Sequence, residues 1–315
     1  MNFISPVQNR RQWLRNTACG FGSVALANIL ASESARAEVG RKNGYGAALD
    51  APHHTPKAKR VIFVFLQGSP SQLDTFDYKP RLQKDDGKPL AANSGNPTKY
   101  LGSPWKFSQH GQSGHWISEL YPHVAKHADK LCVIKNLTTD IPNHPQAVLQ
   151  MHTGAFRFAR PSFGSWLLYG LGTENKDLPG FLVLNPLTRV GGVQNYSNAF
   201  LPSRFQGTGI GTEGVNIAKA DLGHVSNSKW DADAQRGQLD LLGDLDKARP
   251  VRTANENDLD GVIRSYELAF RMQGALPKLF DLAKEKKETL EEYGIGTAET
   301  DDFGRQCLLA RRAVE

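Results

Sequence analysis

RVIFVFLQGSPSQLDTFD, residues 60–77, decides how the chain is read. Residues 61–66 are β-branched, aromatic or leucine without a polar interruption, and Gln67-Gly68-Ser69-Pro70 is a turn signal. So continuous an apolar run predicts a strand covered on both faces, as in a parallel sheet. Two acids three residues apart, Asp74 and Asp77, follow the turn. In open α/β sheets ligands bind beyond the carboxyl ends of the strands. Carboxylate oxygens delivered there suit a divalent cation. The same LDTFD also fits a capped turn, in which an aspartate bonds its own backbone.

A second strand is expected in KLCVIKNL, residues 130–137, with Cys132 a buried, inert thiol in an apolar run. It feeds TTDIPNHPQAVLQMHTG, residues 138–154. Pro145 suits the first turn of a helix, where its missing N–H costs nothing, and Gly154 closes that helix. Asn143 or His144 is then the cap. Unpaired N–H groups and the positive dipole end gather there and favour an anion. The groups concerned are Asn143 and His144 with the backbone of Gln146 and Ala147. If both strands are parallel neighbours, the acids and this helix terminus share one edge.

The remaining pattern is α/β. Residues 80–114 form a polar excursion rich in glycine and proline. WISELYPHVAKHAD, residues 116–129, predicts a helix with His123 and His127 one turn apart, read as a wet surface because no third ligand accompanies them. Ser162 is a candidate cap for PSFGSWLLYGLG, and PGFLVLNP predicts a third strand. The glycine-rich GTGIGTEG, residues 207–214, lacks the P-loop lysine and is read as a surface loop. Beyond residue 230, DAQRGQLDLLGDL, DLDGVIRSYELAFRM, LPKLFDLAKEKKETLEEYG and FGRQCLLARRAVE carry helical periodicity.

The N-terminus reads as an address. Arg10 and Arg11 precede the mild apolar stretch ACGFGSVALANIL and then SARA, the order of a twin-arginine signal with cleavage after Ala37. This predicts an exported protein, periplasmic or extracellular: a signal over residues 1–37, a flexible lead-in over 38–58, and an α/β domain over 59–315. The net charge of +6 is half accounted for by that leader, where four arginines face one glutamate. The rest is too weakly basic to argue for nucleic acid. Of the 315 residues none lies in an apolar run of about 18, so no membrane span is expected. Three cysteines, Cys19, Cys132 and Cys307, form no CxxC pair, which excludes the common thiolate zinc patterns.

RRQWLRNTACGFGSVALANIL, RVIFVFLQGSPSQLDTFDYKP, NHPQAVLQMHTG, PSFGSWLLYGLG, LPGFLVL, FLPSRFQGTG, RSYELAFRMQ and FGRQCLLARR occur in this order. Together, over nearly the whole chain, they resemble an exported bacterial family catalogued as domain of unknown function 1501, which looks like a relative of the sulfatases and alkaline phosphatases. The resemblance implies a mainly parallel sheet flanked by helices. It implies a metal-binding aspartate after the first strand, Asp74, with Asp77 as second choice. In that superfamily the nucleophile caps a helix and a Thr-Gly pair follows nine residues later. Thr153-Gly154 is such a pair, which places His144 at the nucleophile position. Sulfatases require cysteine or serine there, with proline and arginine at set positions, and HPQAV departs from that pattern. His144 is therefore expected as a metal ligand or as a nucleophile toward a phosphoryl group.

The family resembled takes further ligands from segments beyond the LLARR helix, and no glycine or proline ends LLARRAVE. The fold is therefore expected to be incomplete in this chain, with a bare sheet edge. The resulting expectation is an exported hydrolase of phosphate or sulfate esters, using a divalent metal ion on a small-molecule or glycan ester. The alternative is a non-catalytic protein of the same fold that binds a glycan or a partner.

Overall fold

The computed structural model describes residues 54–55, 57–68, 70–90, 98–220, 229–248 and 256–315, the side chains of 256–260 excepted. The expected signal, residues 1–37, and nearly all of the lead-in lie outside the described residues. The fold is mixed α/β with small sheets, and the chain divides into two compact units, 63–140 and 141–315 with the segment up to 62.

In the unit 63–140 a 3-10 turn, Gln72–Asp74, precedes α1 (Pro80–Lys84), β1 (Phe107–His110), β2 (His115–Ser118) and α2 (Pro122–Ala125). A further 3-10 turn spans Ala128–Lys130. β1 and β2 form an antiparallel hairpin with Phe107 opposite Ser118 and His110 opposite His115. Gly111 and Gly114 turn it at positive φ, where residues with a Cβ are strained. The Asp129 carboxylate receives the Ser113 N–H at 2.7 Å and ties down the loop. Ile117, Ala125 and Ala128 form the core with Phe76, Tyr121 and Leu131. The Tyr78 ring packs between Phe107 and Trp116, at 5.0 and 4.7 Å.

Four expectations are corrected in this region. Residues 61–66 and 131–137 have extended or irregular backbone, and neither segment is a sheet strand. Val61, Ile62 and Val64 are 54, 48 and 55% exposed, and Ile134 is 66% exposed. Cys132 is likewise exposed. Apolarity shows that these runs are suited to burial, whereas a ladder needs a partner strand at the right distance. Finally, Trp116–Ser118 lies in β2, not in a helix. Proline enters helices in the first turn, and Pro122 accordingly starts α2. His123 and His127 are exposed, as read from sequence.

The other unit holds α3 (His144–Thr153), α4 (Phe163–Leu171), β3 (Leu182–Leu184), β4 (Thr208–Ile210), α5 (Ala232–Lys247), α6 (Glu256–Phe280), α7 (Lys287–Glu292) and α8 (Asp301–Val314). β3 and β4 pair in parallel, Leu182 with Thr208 and Leu184 with Ile210. The third expected strand is thus present. Its partner falls inside the GTGIGTEG segment read as a loop. Ile210, Ile217, Met272, Leu276, Leu279 and Leu309 form the main core, against which Leu182 and Leu184 pack. A second cluster joins Leu168, Leu201 and Phe205 to Tyr169 and Phe181. Ser162 caps α4 as expected, accepting the Ser165 N–H. The expected helix over 276–294 is divided: α6 stops at Phe280, and the Asp281 carboxylate receives the Ala283 N–H at 3.0 Å in a local turn.

Candidate functional site

Asp74 and Asp77 belong to one turn. Asp74 ends the 3-10 helix and is partly exposed. Asp77 is 8% exposed, and its carboxylate pairs with the Lys79 ammonium at 2.9 Å. The turn is held by backbone and by Thr75. The Thr75 hydroxyl donates to the Ser71 carbonyl at 2.9 Å, and the Thr75 carbonyl receives the Ser118 N–H at 2.9 Å, which locks the turn to β2. The capped-turn alternative is therefore met by a threonine hydroxyl rather than by an aspartate. Both carboxylates stand on a braced turn, Asp74 more open and Asp77 paired with Lys79. Among the described residues no group of three or more His, Cys, Asp or Glu is placed to hold a metal ion. A divalent ion such as Mg²⁺ is commonly held through one or two carboxylates and keeps several waters, and the turn offers two, of which Asp77 is buried and paired with Lys79. The two do not form an all-protein cage.

α3 follows the sequence closely. Asn143 is its N-cap with extended backbone (φ −70°, ψ 121°), and no side-chain hydrogen bond satisfies the cap. Pro145 lies in the first turn, and Gly154 ends the helix in the left-handed conformation at φ 74°, donating to the Gln150 carbonyl at 2.8 Å. Asn143, His144 and Gln146 are exposed. The Ala147 N–H is already used within the helix, donating to the Asn143 carbonyl at 2.9 Å. Pro145 has no N–H, so the remaining amides of the first turn are those of His144 and Gln146. The Thr153 hydroxyl donates to the Leu149 and Ala155 carbonyls, at 2.8 and 2.7 Å, and thereby fastens the helix end. His152 bonds the Val148 carbonyl through Nδ1 at 2.8 Å, and burial pushes its imidazole below the ordinary histidine range.

The acids belong to the unit 63–140 and the α3 terminus to the other unit. Each half of the expected constellation is thus defined locally, on a braced turn and on an open helix end.

A further strand-end feature escaped the sequence reading. Asn185 follows β3 with φ 45°, an uncommon value for a residue other than glycine, and donates through Nδ2 to the Val215 carbonyl at 3.0 Å. Glu213, after β4, accepts the Thr188 and Arg189 N–H groups at 2.7 and 3.0 Å and the Thr188 hydroxyl at 2.9 Å. These donors hold its carboxyl below the usual range. The carboxyl ends of β3 and β4 are therefore closed by mutual loop contacts. The asparagine after FLVL was the available signal, since asparagine tolerates this backbone better than most residues.

The fold is mixed α/β, with two acids on the turn at Asp74 and Asp77 and an α3 start that no side chain caps. The chain belongs to the family described as protein of unknown function (DUF1501), whose model matches residues 58–315. No curated protein and no solved structure matches it.

Proposed function

We propose that the chain is an exported, metal-dependent hydrolase of phosphate or sulfate esters on a fold of the alkaline phosphatase and sulfatase type. The observation that carries this reading is the α3 terminus: Asn143 and His144 stand exposed at an uncapped helix start, and Thr153-Gly154 closes the same helix. An oxyanion suits the His144 and Gln146 amides and the positive end of the helix. His144 is the group offered to the scissile ester, as nucleophile or ligand. Asp74 and Asp77 would hold a divalent ion, which would supply Lewis-acid chemistry when bound. The substrate is a small-molecule or glycan ester. Among the described residues no helix is long and apolar enough to cross a membrane.

The second reading is a non-catalytic exported protein of this fold that binds a glycan or a partner. Two observations favour it: position 144 carries neither serine nor cysteine, and Asp77 already pairs with Lys79.

The purified chain, loaded with Mg²⁺, Mn²⁺ or Zn²⁺, separates the two when bound metal and hydrolysis of 4-nitrophenyl phosphate and sulfate are measured together. The hydrolase reading expects bound metal that Asp74→Asn removes, and a rate that His144→Ala lowers about 100-fold or more. Absent metal, or a rate unchanged in His144→Ala, would overturn it in favour of the binder.

A further inference from the structure

We draw no further inference here: the strongest candidate, the exposed apolar patch of residues 61–66, carries none because nothing in the structure shows what covers it.

Discussion

The most exacting test of the packing lies at the start of α8. The Asp301 carboxylate receives three donors: Arg305 Nε at 2.9 Å, Asn216 Nδ2 at 2.9 Å and the Gly296 N–H at 2.8 Å. It thereby ties α8 to the loop before it and to the 3-10 turn Ile217–Lys219, whose Ile217 is a core residue. Asp301→Asn keeps the shape, removes the charge and turns an amide donor toward at least one existing donor. Hydrogen bonds to a charged group contribute about 1.5–3 kcal/mol each when measured singly. Water reaches the exposed Gly296 N–H after the change, and the Arg305 pair, one helical turn away, contributes only about 0.3–0.5 kcal/mol. The net loss expected is about 2–3 kcal/mol, which lowers Tm by about 3–5 °C for a chain of 315 residues.

The pH dependence of the same variant supplies an independent readout. Arg305, then Asn216, then the Gly296 N–H hold the Asp301 carboxyl well below its ordinary range in the folded state. A depressed carboxylate contributes its stability in full above the unfolded pKa of about 3.9 and loses it as pH falls further toward the folded value. Thermal unfolding of wild type and Asp301→Asn should therefore differ most at neutral pH, and the gap should narrow steadily below about pH 4. Exposed Glu299→Gln serves as the control with no expected change. A Tm for Asp301→Asn within 1 °C of wild type at pH 7, or a gap that ignores pH, would refute the assigned role.

Other consequences follow from single contacts. Arg312 donates to the Lys278 and Asp281 carbonyls at 2.8 and 2.9 Å and to Glu285 at 2.8 Å, so it caps the end of α6. Arg312→Leu should cost about 2–3 kcal/mol in urea unfolding, and Lys should rescue little because one ammonium cannot reproduce the fork; an unchanged midpoint contradicts this. Burial lowers the His152 pKa, so protonation opposes folding: its contribution is complete above about pH 6.5 and declines as pH falls below that value. An NMR titration midpoint at or above the unfolded value would reverse the sign. If residues 1–37 direct export, replacing Arg10 and Arg11 by lysine should leave uncleaved precursor in the cytoplasmic fraction, and normal export would count against a twin-arginine route.

What was legible in the sequence is what neighbouring residues decide. Pro145 and Gly154 bracket α3, and Ser162 starts α4, because a missing N–H, a left-handed backbone and a hydroxyl acceptor act within one turn. β3 was legible because its apolar run meets a core built by α6 and α8. In the β1–β2 hairpin, β1 was hidden in a polar stretch and β2 in a run whose spacing suggested a helix, and Gly111 and Gly114 marked the turn. β4 was hidden because three residues between glycines carry no period of their own. The turn at Asp74 and the start of α3 were legible as local structure, whereas the Ala147 N–H is engaged because the first intrahelical bond already forms there.

The two missing strands follow from the same distinction. An extended apolar segment states that its faces favour cover, at about 25 cal/mol for each Å² removed from water. It does not state which chain segment supplies the cover, because ladder partners are set by register across sequence distance. Residues 61–66 and 131–137 therefore have the composition of strands without the pairing of strands. At α3 the demand and its answer lie in the same ten residues, which is why the helix terminus could be placed from sequence while the sheet could not.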